Sequence, residues 1–248
     1  MEEPSPNEEY VNEMDAIVAS MRVPFSAVII SKRNTGKSVL CRDVVYHMLK
    51  QKKVDQVIVM SNTSGLQLNE DYDFMPKELL TTYDENKIKK LLDAQAKLIK
   101  SGKKREVLLV MDDVIGGDKD TSGENSRLIR SLYCNSRHFH VSVILLSQIA
   151  TRLMQPAIRA NSDYFWYSRC NRRDLETIWT SITNCDKKAF VQFSETHNLS
   201  FCFILFNNVV TATHPSDFLF VCRAQQRKFK IKPKGKKEQT IEDGERDE

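Results

Sequence analysis

The sequence predicts an α/β fold in which helices cover both faces of a mainly parallel sheet. Apolar runs of strand length alternate with segments whose apolar residues recur at helical spacing, as in parallel α/β domains. The first run leads directly into a short polar loop and a helix pattern, and a later run ends in two adjacent carboxylates. At 248 residues, the chain is long enough to bury one large core.

Composition, charge and cysteine spacing limit the kinds of protein that this sequence can encode. The formal net charge of +4 is too small to indicate a nucleic-acid binder by itself. The six cysteines are scattered without a Cys-x-x-Cys pair, which is typical of reduced thiols in a cytosol-like compartment. The acidic start is unlike a signal peptide, and no apolar run approaches the roughly 18 residues of a membrane span. We therefore expect a soluble protein.

A phosphate-binding loop is predicted between the first strand, Val23–Ile30, and a helix over Lys37–Lys50. Main-chain N–H groups of such a loop, together with the start of the helix, cradle the phosphates of a nucleotide. Lys37 would reach the β and γ phosphates, and Ser38 would ligate a magnesium ion. The predicted nucleotide-binding residues are Ser31, Lys32, Arg33, Asn34, Thr35, Gly36, Lys37, Ser38 and Val39. Ser31 replaces the usual first glycine, at a cost of about 1 kcal/mol.

The other elements are predicted in the same way, strands from short apolar runs and helices from apolar residues at helical spacing. Further strands are expected at 54–60, 107–111, 141–146, 163–168, 200–206 and 218–222, the last two paired with each other. Further helices are expected at 84–101, 124–136, 150–160, 172–182 and 186–197. Asp84 is predicted to cap the first of these helices, and Gly102 to end it. Residues 62–76 are expected to be irregular, and residues 116–123 to form a polar loop.

Two carboxylates, Asp112 and Asp113, directly follow the apolar run 107–111. They lie about 75 residues after the loop, and this arrangement is typical of a Walker B strand. Asp112 would hold the magnesium ion directly or through water. Asp113 would orient the attacking water.

Gln148 follows the strand 141–146. A polar amide at the end of a buried strand needs a partner, which would be either the γ phosphate with its attacking water or a neighbouring loop.

Three other patterns in the sequence have simpler interpretations. His138 and His140 lack a third ligand at metal-binding spacing. Residues 113–116 match the Asp-x-x-Gly pattern of GTPases, but no Asn-Lys-x-Asp motif follows. The aromatic residues at 164–167 would either stack on bases or lie in the core.

The charged ends of the chain are predicted to lie outside the ATPase domain, which is placed at residues 23–222. Residues 1–22 are expected to form an acidic arm with a short helix around 11–21. Residues 223–248 carry a basic run followed by an acidic run and are expected to be disordered. The basic run would contact nucleic-acid phosphates, act as a nuclear localisation signal or simply solubilise the chain.

In combination, these motifs resemble those of the FtsK–HerA branch of P-loop ATPases. More narrowly, the chain resembles the poxvirus-type genome-packaging ATPases of large eukaryotic DNA viruses and their smaller relatives. The resemblance rests on residues 30–38, 109–113, 136–148 and 158–164. It covers 23–222, nearly the whole predicted domain.

The resemblance implies a sheet in which the Gln148 strand lies between the loop strand and the Asp112 strand. It also implies a homo-oligomeric ring of five or six subunits, in which an arginine from the neighbouring subunit completes each site. Arg137 is the first candidate for that arginine and Arg127 and Arg130 are alternatives, although each is also plausible as a surface charge. Asp113 stands where many relatives have glutamate, so its carboxylate would have to approach the water more closely.

The function implied by the resemblance is an ATP-driven, magnesium-dependent translocase that packages double-stranded viral DNA into preformed capsids. Its partners would be DNA, other copies of the chain and capsid portal or vertex proteins. It would act in the host cytoplasm or a viral factory, or with the virion. The alternative is a P-loop protein without motor activity, such as a nucleotide kinase or a nucleotide-gated binding module.

Overall fold

A computed structural model describes most of the chain. The described residues are 11–62, 70–114, 124–150, 155–182, 186–197, 199–210, 218–234 and 238–243. The predicted polar loop at 116–123 and part of the irregular stretch, 63–69, lie outside these ranges.

Strands and helices alternate along most of the chain, as predicted. The strands are β1 (Val11–Asn12), β2 (Ser26–Ser31), β3 (Gln56–Ser61), β4 (Leu80–Thr81), β5 (Val107–Asp112), β6 (Val141–Ser147), β7 (Tyr164–Ser168), β8 (Cys202–Asn207), β9 (Leu219–Arg223), β10 (Phe229–Lys234) and β11 (Glu238–Asp243). The α-helices are α1 (Met14–Ser20), α2 (Lys37–Lys50), α3 (Glu85–Lys100), α4 (Glu124–Asn135), α5 (Pro156–Asn161), α6 (Arg172–Ile182) and α7 (Lys187–Thr196). None of these helices combines the length and apolar character that crossing a membrane requires.

In the described part of the chain, nine strands form one sheet in the order β1-β9-β8-β7-β2-β6-β5-β3-β4. Strand β6 pairs in parallel with both β2 and β5, which confirms the predicted place of the Gln148 strand. Strand β7 is parallel to β2, whereas β8 is antiparallel to both β7 and β9. The carboxyl ends of β2, β5 and β6 therefore meet at one edge of the sheet.

Side chains of the central strands fill two apolar cores, one on each face of the sheet. In β5, Leu108 and Val110 face the core that α1 and α2 cover, whereas Leu109 and Met111 face the core on the opposite side. Strands buried on both faces read as continuous apolar runs, which is why the sequence identified β5 so clearly. The aromatic residues 164–167 of β7 are buried as well, so the structure places them in the core.

Most element boundaries agree with the prediction to within a few residues. The Asp84 carboxylate accepts a hydrogen bond from the Asn86 N–H at 2.8 Å and so caps α3 as predicted. Strand β2 begins at Ser26 rather than Val23. The predicted helix at 150–160 corresponds to α5, with residues 151–154 outside the described part. The short strand β4 was not predicted, because two residues are too few to form a pattern.

The expectation of a disordered tail after residue 222 is wrong for the tail residues that the structure describes. Strands β10 and β11 form an antiparallel hairpin, and Phe229 and Ile231 join the core beside α2. Arg227 also pairs with the fully buried Asp43 of α2, at 2.8 Å.

The N-terminal arm is also integrated into the fold over its described residues. Helix α1 buries Met14, Ile17 and Val18 in the same core, and β1 pairs in parallel with β9. The short helix predicted around 11–21 is therefore confirmed as α1, but from residue 11 onward the arm is packed on the core and carries an edge strand rather than being solvated.

Candidate nucleotide-binding site

A cavity of about 450 Å³ opens at the edge of the sheet where β2, β5 and β6 end. This volume lies in the range of about 300–1,000 Å³ that is usual for small-molecule sites. The cavity is lined by Arg33, Asn34, Gly36, Lys37, Ser38, Val39, Asp71, Asp112, Asp113, Gln148 and Phe201. All of these except Asp71 and Phe201 were predicted from the sequence. Ser31, Lys32 and Thr35, also predicted, form the base of the loop instead.

The loop between β2 and α2 folds tightly around the Lys37 side chain. Lys37 Nζ donates hydrogen bonds to the carbonyl oxygens of Ser31 and Lys32, each at 3.0 Å. Thr35 Oγ1 donates to the Lys32 carbonyl at 2.6 Å and also contacts Ser31 Oγ. Ser31, which replaces the usual glycine, thus supplies a hydroxyl that links the two ends of the loop.

The loop requires left-handed backbone at two positions. Asn34 has φ of 57° and Gly36 has φ of 99°. Asparagine and glycine are the residues that adopt this region most readily. Helix α2 then begins at Lys37, so its unpaired N–H groups lie at the cavity wall, where they favour anions.

Lys37 is a buried cation beside two carboxylates. Burial lowers the pKa of Lys37, and the negative charges of Asp113 and Asp112 oppose that shift. A buried ammonium near a helix start is well suited to polyanionic ligands such as a triphosphate.

Asp112 lies at the end of β5 and is 6% exposed. Its Oδ2 accepts a hydrogen bond of 2.9 Å from the Tyr72 hydroxyl. Burial raises the pKa of Asp112 to about 6, the charge of Asp113 adds to that rise, and the Tyr72 hydrogen bond opposes it. Carboxylate and hydroxyl oxygens are ligands that magnesium prefers, so Asp112 and Ser38 suit this ion chemically.

Asp113 and Gln148 come together at the mouth of the cavity. Gln148 Nε2 donates to Asp113 Oδ2 at 3.1 Å, and the Asp113 N–H donates to the Leu146 carbonyl at 3.3 Å. Asp113 has φ of 48°, a left-handed conformation that is uncommon for residues other than glycine. Of the two partners expected for Gln148, the described residues supply the neighbouring loop, because Asp113 directly follows the end of β5.

Residues 70–75, which we name the 70–75 segment, supply two site residues that the sequence did not reveal. Asp71 lines the cavity and forms a hydrogen bond with Ser38, and burial raises the pKa of Asp71. Tyr72 contacts Asp112, as described above. Both belong to the stretch that was predicted to be merely irregular. The sequence feature that could have revealed this segment is its mixture of acidic and aromatic residues soon after β3. The carboxyl end of β3 lies at the edge of the sheet where the cavity opens.

Arg42 of α2 holds the 70–75 segment in place. Its Nη2 donates to the Asp73 carboxylate at 2.6 Å and to the Asp71 carbonyl at 3.1 Å. Its guanidinium carbon lies 5.0 Å from the centre of the Phe74 ring. The helix that follows the phosphate loop therefore also positions the segment on the other side of the cavity.

We expect Tyr72→Phe to weaken magnesium-dependent ATP binding. The Tyr72 hydroxyl stabilises the ionised form of Asp112, which a metal ion requires, and loss of such a partner typically weakens metal binding by about 10-fold or more. The measurement is the magnesium concentration that gives half-maximal ATP binding. Tyr133→Phe is the matched control, because it removes a buried hydroxyl that bonds to the Ala27 carbonyl at 2.6 Å. Equal magnesium dependence in both variants would contradict the role assigned to Tyr72.

The predicted trans arginine does not approach its own cavity. Arg137 lies just before β6, and its Nη1 is 3.5 Å from Asp163 Oδ1. The other Asp163 oxygen accepts a hydrogen bond from the N–H of Ser26, the first residue of β2, at 2.8 Å. Arg137 is thus at the edge of the sheet opposite the cavity. Arg127 and Arg130 lie on the preceding helix, α4.

Comparison with known proteins identifies viral relatives. Residues 17–209 match the family described as the Poxvirus A32 protein. An uncharacterised protein of Acanthamoeba polyphaga mimivirus, L437, is 25% identical over 234 residues, which span 87% of this chain and 78% of that protein. Protein 075L of Invertebrate iridescent virus 6, also uncharacterised, is 32% identical over 154 residues, or 61% of this chain and 57% of that protein.

Solved structures share the fold. The genome packaging NTPase B204 of Sulfolobus turreted icosahedral virus 2, in complex with sulfate, aligns with a TM-score of 0.58 at 16% identity, covering 83% of this chain and 98% of B204. The conjugation coupling protein TcpA of pCW3, with ATPγS, aligns with a TM-score of 0.57 at 14% identity, covering 82% of this chain and 61% of TcpA. The phosphate loop and the strand order agree with what the family match indicates. The chain therefore belongs to the Poxvirus A32 protein family.

Proposed function

We propose that the protein is an ATP-driven translocase that packages double-stranded viral DNA into preformed capsids. The observation that carries this proposal is the convergence of Lys37, Asp112 and Gln148 on one cavity in a member of the Poxvirus A32 family. The B204 structures support it, since that protein is a genome packaging NTPase and has been solved with ATPγS.

Five residues that line the cavity have assigned roles in this proposal. Lys37 and the N–H groups at the start of α2 bind the β and γ phosphates of ATP. Ser38 and Asp112 hold magnesium, which supplies charge neutralisation at the phosphates when bound. Asp113 orients the attacking water, and Gln148, which donates a hydrogen bond to Asp113, contacts the γ phosphate or the same water.

The position of Arg137 favours a shared site in a ring of five or six subunits. A side chain at the opposite edge of the sheet cannot stabilise charge in its own cavity, so a role for Arg137 in hydrolysis would have to be played in the cavity of an adjacent copy. Lysines and arginines lining the pore of such a ring would grip the phosphate backbone without reading its sequence, so DNA binding should weaken steeply as salt increases. The proposed place of action is the cytoplasm or viral factory of an infected cell, with capsid portal or vertex proteins as partners.

A mixing experiment tests the shared site. We expect wild-type ATP hydrolysis to rise when long duplex DNA is added, and Lys37→Ala and Arg137→Ala each to abolish that turnover. Mixing the two variants should restore part of it, because an intact loop from one subunit meets an intact arginine from its neighbour. Partial restoration also shows that both variants fold. Arg127→Ala and Arg130→Ala, tested in the same way, determine whether another arginine of this region has the role.

Two results would contradict the proposal. Turnover that ignores DNA but requires a small phosphoryl acceptor would indicate a nucleotide kinase. Binding of ATP without turnover in any oligomeric state would indicate a nucleotide-gated binding module rather than a motor.

A further inference from the structure

Phe201 lines the nucleotide cavity but belongs to none of the groups that bind phosphate or metal. Its side chain is 43% exposed, whereas the next aromatic residues along β8, Phe203 and Phe206, are buried. Phe201 also has φ of 60°, a left-handed conformation that is rare for a bulky residue. An exposed aromatic side chain in an unfavourable backbone conformation indicates a position that the surrounding structure enforces.

Hydrogen bonds fix the turn that carries Phe201. The Ala224 N–H donates to the Phe201 carbonyl at 2.8 Å, and Ser168 Oγ donates to the Cys202 carbonyl at 2.5 Å. Ser168 is paired with Ser31, the first residue of the phosphate loop. The turn before β8 is therefore tied through β7 to the strand that leads into the loop.

The phenyl ring of Phe201 lies directly against the loop glycine. A Cβ atom built on Gly36 would be only 2.6 Å from Phe201 Cδ1. Gly36 is thus required twice, once for its positive φ and once for the approach of this ring. The contact places the aromatic ring beside the loop.

The strand order gives this ring a chemical role. Asp112, Asp113 and Gln148, which would surround the terminal phosphate, come from β5 and β6 on one side of β2. Phe201 comes from the opposite side, where β7 and β8 lie. A nucleotide whose terminal phosphate meets these polar groups therefore extends its base toward Phe201.

We infer that Phe201 is the stacking platform for the nucleotide base in this cavity. The inference rests on the proposed ATP-binding function and adds to it the position and recognition of the base. Stacking depends on the face of the base and not on the hydrogen-bonding groups at its edge. The platform therefore accepts adenine and guanine alike and prefers both to the smaller pyrimidines.

The test compares ATP with inorganic tripolyphosphate, which carries the phosphates without a base. We expect Phe201→Ala to weaken magnesium-dependent binding of ATP and GTP by about 10- to 100-fold, the usual effect of removing one base-stacking side chain. Binding of tripolyphosphate should change by less than about twofold, which also shows that the variant is folded. Phe201→Trp should retain ATP binding, and its fluorescence should respond to ATP and GTP but not to tripolyphosphate.

Leu199→Ala is the matched control, because Leu199 is 44% exposed in the same turn but does not line the cavity. We expect this variant to bind both ligands as the wild type does. Unchanged ATP binding by Phe201→Ala would overturn the platform while leaving the proposed ATPase function intact. Equal loss of ATP and tripolyphosphate would also overturn it, because the ring would then only shape the loop. A wild-type protein that binds neither ligand would overturn the proposed function together with the platform.

Discussion

Lys37→Ala is expected to reduce ATP hydrolysis by at least about 100-fold, the usual effect of removing one preorganised group that stabilises developing charge. The Lys37 ammonium is buried between the loop carbonyls and the acidic end of β5. Without it, the cavity retains Asp71, Asp112 and Asp113, whose negative charges repel a triphosphate. The measurement is steady-state phosphate release at saturating ATP and magnesium.

Lys50→Ala is the matched control for this prediction. Lys50 is the last residue of α2, is exposed and does not line the cavity. Turnover near the wild-type rate is therefore expected from Lys50→Ala. Substantial turnover by Lys37→Ala would show that hydrolysis occurs elsewhere.

Phe229→Ala is expected to lower the free energy of unfolding by about 3–5 kcal/mol, the usual cost of deleting a large aromatic side chain from a core. Phe229 is 4% exposed. Its ring centre is 4.8 Å from that of Phe74 and 5.3 Å from that of Tyr46. The loss would leave a cavity between the C-terminal hairpin, α2 and the 70–75 segment. Urea denaturation followed by circular dichroism measures the change.

Lys232→Ala on the same strand provides the comparison. Lys232 is 61% exposed and pairs with Glu242 at the surface, so its loss should cost less than about 1 kcal/mol. An unchanged unfolding curve for Phe229→Ala would mean that the tail does not pack in solution, as its composition had suggested.

The sequence was informative wherever a local pattern determined the structure. The buried run before Asp112 and the glycine and lysine of the loop located the centre of the site, because strand and loop chemistry lie within a few consecutive residues. The tail was misjudged because its high charge is typical of disorder. Even so, Phe229 and Ile231 alternate with lysines, and this two-residue period is typical of a strand with one buried face.

Asp71, Tyr72 and Phe201 were missed for a different reason. Their roles depend on contacts with Ser38, Asp112 and Gly36, which lie far away in the sequence. No spacing rule connects such residues. They become visible only when the strand order brings β3, β5 and the start of β8 to the edge where the loop lies.

Within the described residues, both outer strands of the main sheet are short, and this has a consequence for assembly. Strands β1 and β4 each contain two residues, so each edge offers few unpaired backbone groups. Long flat edges invite other chains to add strands, and short edge strands discourage such addition. In the proposed ring, copies of this chain should therefore meet through side chains of loops and helices rather than through a shared sheet.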